Sequence, residues 1–169
     1  QYEMSYDDLS AFGENVFPLA AAKQHIEDIE LSLTPRDYQY DAFVHAIKKK
    51  RAILLSPTAS GKSLIIYLIA TYLISKRILL IVPNVGLVHQ MASDFEDYGC
   101  PPEFIHKIFS GQDKQTNAPI TITTWQSIYQ LPRSWFDTYG CVIGDEVHGF
   151  KAKCLVSIME NLTKCEYRY

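Results

Sequence analysis

The apolar positions of this chain follow two rhythms. In the first third they recur at helical spacing. Ile26 and Ile29 share one side of a short helix predicted over Leu19–Glu30, and Tyr40, Phe43, Val44 and Ile47 share one side of a second helix. The second helix carries a start signal in Thr34-Pro35-Arg36-Asp37: Thr34 can cap, Pro35 suits the first helical position, and Asp37 sits where a capping-box acid would sit. From Ala52 onward, short apolar runs alternate with helical stretches. Ala52–Leu55, Ile78–Val82, Phe104–Phe109, Ile120–Thr123 and Cys141–Gly144 read as strands. Between and after them, Lys62–Ser75, a stretch from Pro83-Asn84 towards Tyr98, Thr124–Gln130 and Ala152–Leu162 read as helices, with Gly99 as a stop. The strand runs do not alternate with polar residues, the pattern of strands buried on both faces. Strand–helix alternation of this kind implies a parallel sheet joined by right-handed crossovers. The fold class is α/β, a mostly parallel sheet flanked by helices.

Composition narrows the function. Of 169 residues, 47% are hydrophobic and 21% charged, enough for a buried core and against general disorder. A net charge of −3 excludes a protein that coats nucleic acid by bulk charge, while leaving room for a local basic surface. Cys100, Cys141, Cys154 and Cys165 form no CxxC pair and no zinc-like spacing, which points to free thiols in a reducing cytosol. The longest apolar run, Leu64–Ile74, is interrupted by Thr71 and followed by Lys76-Arg77. A membrane span needs about 20 apolar residues, so this run reads as a buried helix. The start, Gln1–Asp8, lacks the basic end and apolar stretch of a signal peptide, and a first residue other than Met hints at part of a longer protein. The expected location is cytoplasmic.

The chemistry concentrates in two segments. Ser56-Pro57-Thr58-Ala59-Ser60-Gly61-Lys62-Ser63 follows a predicted strand and opens a predicted helix. Backbone N–H groups from Thr58, Ala59, Ser60 and Gly61, backed by a helix N-terminus, can cradle a phosphate chain. Lys62 can then reach the β- and γ-phosphates, and the Ser63 hydroxyl can ligate Mg²⁺. Ser56 stands where the strict pattern has glycine, so a chance Gly-Lys-Ser turn is the competing reading. The second segment, Cys141-Val-Ile-Gly-Asp145-Glu146-Val147-His148, ends an apolar strand in two acids. Asp145 can hold Mg²⁺ and Glu146 can orient and deprotonate an attacking water, while His148 could link the site to moving parts. An exposed acidic turn is the bland alternative. The two segments lie 83 residues apart from Lys62 to Asp145, room for the intervening units, and together they indicate a nucleoside-triphosphatase site.

Weaker signals surround these. Gln39 could pair with the N6 and N7 edge of adenine and so select ATP, with Arg36 and Tyr38 adding stacking or phosphate contacts. A well-capped helix with a surface glutamine explains the same residues. Pro83, Asn84 and Gln90, and Thr123, Thr124 and Gln126, fall where strands run into helices, and could grip a nucleic-acid backbone without reading bases. Ordinary capping is the alternative there, and Trp125 reads as a core residue. Lys48–Arg51 reads as a solvated helix end.

In order, these motifs resemble the first RecA-like domain of superfamily 2 helicases, from about Leu33 to the end of the chain. Gln39 falls on the family's adenine-reading glutamine, Ser56–Ser63 on motif I, Pro83–Gln90 on motif Ia and Thr123–Ser127 on its TTxQS-like motif. Asp145-Glu146-Val147-His148 falls on motif II in its DExH form. Within the superfamily, Pro57–Leu64, Gln90–Tyr98, Thr124–Gln126 and Trp135-Phe136 are similar to phage branch-migration helicases. Gly144 departs from the bulkier residue that often precedes the acids.

The resemblance implies a RecA-like P-loop NTPase fold over residues 33–169, with residues 1–32 as an N-terminal extension or linker. It implies ATP and Mg²⁺ as cofactors and an ATP-dependent helicase or translocase acting on duplex or branched DNA in recombination and repair. RNA stays open, since backbone grip carries no sugar preference. The pattern stops at Tyr167-Arg168-Tyr169, where a strand leading to motif III is expected. The second RecA-like domain, with its arginine finger, is therefore expected outside these residues. Alone, the chain should bind ATP weakly and hydrolyse it poorly. The alternatives are the motor domain of a restriction enzyme subunit, and a non-catalytic nucleotide-responsive module that binds nucleic acid.

Overall fold

The computed structural model describes residues 16–54, 61–147 and 150–169. Its core is a five-stranded, all-parallel sheet in the order β2-β3-β1-β4-β5: β1 Ile78–Val82, β2 Ile105–Ile108, β3 Ile120–Thr124, β4 Cys141–Gly144 and β5 Tyr167–Arg168. The register aligns Ile78 with Ile120 on one side and with Cys141 on the other. Every residue of β1 is buried, as its unbroken Ile-Leu-Leu-Ile-Val run requires. Its side chains alternate between two cores. Ile78, Leu80 and Val82 join one cluster with Phe43, Leu68 and Phe95, whereas Leu79 and Ile81 join another with Trp135, Phe136 and Ile158.

The first cluster is covered by α1 Val16–Asp28, α2 Asp37–Lys49, α3 Lys62–Tyr72 and α4 Val85–Asp97. The second is covered by α5 Trp125–Ile128, α6 Arg133–Phe136 and α7 Ala152–Asn161. Helix α3 is buried from Leu64 through Ala70, which explains an apolar run with no polar face. Helix α1 lies in the region read as an extension, and it packs into the first core through Ala22. Among the described residues, no helix is long and apolar enough to cross a membrane.

Four sequence expectations are corrected. Ala52–Leu54 form no strand: Arg51 makes a single parallel bridge to Arg168, the Ala52 N–H donates to the Arg168 carbonyl, and Ile53 is left 85% exposed. Leu55, the last residue of that expected strand, lies outside the described residues. Helix α2 is capped at Arg36 rather than Thr34, because the Arg36 N–H donates to Gln39 Oε1 at 2.9 Å. Helix α3 stops at Tyr72 and gives way to a 3₁₀ turn at Ile74–Lys76. The helix expected over Thr124–Gln130 shrinks to one turn. Helix α4 does end before Gly99, whose φ of 105° suits glycine alone.

Candidate nucleotide site

The site is built at the C-terminal edge of the sheet, where open parallel sheets bind ligands. The end of β4 is pinned on both sides: the Gly144 N–H donates to the Tyr169 carbonyl at 2.8 Å and the Asp145 N–H to the Ile81 carbonyl at 2.9 Å. Gly144 serves the turn that follows, since a Cβ there would lie 2.5 Å from the Val147 side chain. The chain turns so sharply that Glu146 takes φ 52°, a costly value for a non-glycine residue. Strain of this kind clusters where a side chain is aimed for function.

Glu146 is aimed at Lys62. The Lys62 ammonium donates to Glu146 Oε1 at 2.7 Å and stands 4.0 Å from Asp145 Oδ1. Their separation in sequence is 84 residues, so the fold alone brings them together. The hydrogen bond to Glu146 holds the Lys62 pKa above its ordinary value and outweighs partial burial, which acts the other way. Lys62 opens α3 behind Gly61, which adopts the left-handed conformation, φ 70° and ψ 41°. Among the described residues no side chain caps this helix start. Gln39 closes the other side: it is buried, and its Nε2 donates to the Gly61 carbonyl at 3.2 Å while its Oε1 accepts the Arg36 N–H.

The structure thus unites Gln39, Gly61, Lys62, Asp145 and Glu146. Thr58, Ala59, Ser60 and His148 lie outside the described residues. Arg36 is exposed at the start of α2, with Nη1 directed to the Tyr38 hydroxyl at 3.4 Å. Ser63 is adjacent, but its hydroxyl faces α4 and lies 2.8 Å from the Tyr98 hydroxyl. No local signal could have revealed that partner, 35 residues away.

Of the residues read as a nucleic-acid grip, Pro83, Asn84, Thr123, Thr124 and Gln126 meet along the same edge. Asn84 caps α4 by accepting the Leu87 N–H at 3.0 Å, and Gln126 Nε2 donates to the Pro83 carbonyl at 3.2 Å. Asn84, Gln90 and Gln126 are exposed. Thr123 and Thr124 are buried, with their hydroxyls on the Thr124 carbonyl and Ser127 Oγ respectively. The hydroxyl contacts expected from those two threonines are therefore not presented at this surface: β3 is flanked by β2 and β1 and covered on both faces. Trp125 is buried against Tyr129 and Phe150, as a core residue.

Hard oxygen donors suit Mg²⁺, and Asp145 beside Lys62 offers one. Among the described residues no group of three or more His, Cys, Asp and Glu side chains forms a metal cluster.

A lysine at a helix start facing paired acids at the end of a parallel strand is the arrangement of a RecA-like helicase domain. The chain belongs to the family described as Type III restriction enzyme, res subunit, matched over residues 32–167. It is 37% identical over 145 residues to the ATP-dependent DNA helicase UvsW of Enterobacteria phage T4, covering 81% of this chain and 29% of that protein. It is 29% identical over 133 residues to a DNA 3'-5' translocase of Sulfurisphaera tokodaii, covering 79% of this chain and 29% of that one. A crystal structure of the phage T4 UvsW helicase superposes with a TM-score of 0.76 at 36% identity, covering 80% of this chain and 51% of the other. The chain thus spans 29% of the length of these two curated relatives.

Proposed function

We propose that this chain is the ATP-binding, first RecA-like domain of an ATP-dependent DNA helicase or translocase acting on duplex or branched DNA. The observation that carries the reading is the 2.7 Å contact between Lys62 and Glu146 at the sheet's ligand-binding edge. A triphosphate is a better partner for an ammonium than one carboxylate, because it offers more charge and several acceptor oxygens. Its arrival would draw Lys62 onto the β- and γ-phosphates and release Glu146. Freed of its ion pair, Glu146 can accept the proton of a water aligned on the γ-phosphorus. Asp145 and Ser63 would hold the magnesium, which when bound neutralises the charge that develops on the phosphates.

Gln39 is set to read adenine from behind Gly61, after surrendering bonds it now makes within the protein. Arg36 and the backbone of Thr58, Ala59 and Ser60 complete the nucleotide cradle, and His148 couples it to the nucleic-acid side. Pro83, Asn84, Gln90 and Gln126 supply the backbone grip. In this reading residues 33–169 are the domain proper, the second wall of the ATP cleft comes from another RecA-like domain, and the work is done in the cytoplasm where the DNA lies. The family description favours one further reading, the motor part of a restriction enzyme subunit. That reading requires a nuclease domain in the same assembly and DNA cleavage alongside ATP turnover.

The test is ATP hydrolysis by the full-length protein with and without duplex DNA, branched DNA and RNA. Duplex or branched DNA should stimulate turnover, and Glu146→Gln should lower kcat at least about 100-fold, the lower range for losing a general base. Stimulation by RNA alone would replace the substrate. Turnover untouched by Glu146→Gln would leave a non-catalytic nucleotide-responsive module.

A further inference from the structure

Lys62 and Ser63 are neighbours in the first turn of α3, yet they look in different directions. Successive residues on a helix are separated by about 100°. Lys62 faces Asp145 and Glu146, whereas Ser63 faces α4. There its hydroxyl meets the phenol oxygen of Tyr98 at 2.8 Å. Tyr98 is firmly held. Its N–H donates to the Asp94 carbonyl at the end of α4, and its ring lies against Tyr67, centroids 5.4 Å apart. Tyr67 is one turn beyond Ser63 on α3, buried, and packed edge-on against Phe95 at 5.1 Å. The phenol is therefore fixed by the α3–α4 packing and is not a wandering surface group.

The two side chains that would receive a magnesium–phosphate group are thus both engaged elsewhere, Lys62 by Glu146 and Ser63 by Tyr98. The first engagement lies within the site. The second comes from a residue that faces neither acid, and its purpose differs. We propose that Tyr98 is a positioning residue that holds the Ser63 hydroxyl on the α4 side of its helix, so that binding of a magnesium-bound nucleotide must break this bond. Tyr98 thereby sets the magnesium dependence of nucleotide affinity. The inference rests on the reading of the chain as an ATP-binding domain.

The physical basis is competition for one oxygen. A hydroxyl that ligates a hard cation gives it a lone pair and must point at it. If the phenol donates to Ser63 Oγ, it occupies such a lone pair; if it accepts, it fixes the rotamer that points away. In either sense the contact favours the metal-free arrangement by the worth of one neutral hydrogen bond, about fivefold in an equilibrium constant. Nucleotide without metal does not call on Ser63 and should not sense Tyr98.

The experiment is a titration of the full-length protein with a fluorescent ATP analogue, in magnesium and in EDTA. Tyr98→Phe keeps the ring against Tyr67 and removes only the phenol oxygen. It should tighten binding about fivefold in magnesium, lower the magnesium concentration for half-saturation, and leave binding in EDTA unchanged. In a Ser63→Ala background, Tyr98→Phe should have no effect. Equal magnesium dependence in wild type and Tyr98→Phe would overturn the proposal. Weaker binding of Tyr98→Phe in magnesium would overturn it in the opposite sense, making the phenol a support for the ligating serine. Either result, with wild type still binding and Lys62→Ala not, leaves the ATP-domain reading standing. Wild-type protein that binds no nucleotide in either condition removes both. A Tyr98→Phe effect of equal size with and without magnesium marks a packing change and also overturns the proposal.

Discussion

Two helix starts lie at the same edge of the sheet, and they are finished differently. At Asn84 the chain caps itself: the Asn84 side chain accepts the Leu87 N–H, and Gln126 reaches over from α5 to the Pro83 carbonyl. At Gly61 no side chain among the described residues caps α3, and Gln39 donates to the Gly61 carbonyl instead of accepting from the helix. A helix start with one amide already taken by a side-chain cap offers less to a small anion. One that begins with a glycine, which has no side chain to cap with, and carries a lysine in its first turn suits an anion. The comparison separates the two motifs that looked alike as strand-to-helix turns in the sequence.

The sharpest way to break this contrast is Gly61→Ala. The new Cβ would sit 2.4 Å from Gln39 Nε2, on a backbone with φ 70°. A loss of about 1–3 kcal/mol in stability is expected from the strained conformation. Nucleotide affinity should fall at least about tenfold, since α3 and Gln39 cannot both keep their places. Urea denaturation and nucleotide titration read the two effects, and a neutral Gly61→Ala would show that the left-handed junction is dispensable.

Asn84→Ala comes next, with an expected loss of about 1 kcal/mol by urea denaturation, the usual worth of an N-cap. Asn84→Asp and Asn84→Ser should recover most of it, because each keeps an acceptor for the Leu87 N–H. Failure of both to do so would mean that capping is not what Asn84 contributes.

The smallest effect lies at neither junction. His25 of α1 is half-buried, bonded to Thr71 at the far end of α3 from Gly61. Burial holds its pKa below the ordinary 6.5, with Asp28 opposing weakly. Above that value the side chain is neutral folded and unfolded. Below it the unfolded chain takes up the proton more readily, so stability falls as pH drops. Thermal melts above and below the ordinary histidine range should show this loss, reduced in His25→Gln. An identical pH dependence in the two proteins would place the acid sensitivity elsewhere.

How much of this was legible follows from what each signal depends on. β1 and β4 were readable because strands covered on both faces need uninterrupted apolar runs, and both have them. The meeting of Lys62 with Asp145 and Glu146 was readable because each stands at a strand or helix end, and a parallel sheet brings such ends together at one edge. Thr123 and Thr124 misled, since threonine looks polar in sequence yet packs well in a covered strand. The start of α2 misled for another reason. Thr34 and Pro35 gave the stronger local signal, but Gln39, bonded to both Arg36 and Gly61, fixes the boundary at Arg36. Helix α6 has four residues and β5 has two, too few for any period to emerge. The Ser63–Tyr98 contact is purely tertiary.

An all-parallel sheet also says something about how the molecule comes into being. Each of its four pairings joins strands that must be linked by a crossover. The Lys62–Glu146 contact closes a loop spanning 84 residues, so the entropy of ordering about half of the chain must be met before it can form. The edge that carries Lys62 and Glu146 is thus expected to assemble late, and a sheet built from crossovers favours slow folding. A ligand that binds only the assembled edge would retard unfolding without accelerating folding. For this chain, nucleotide would act as a clasp on a finished molecule and not as a template for making one.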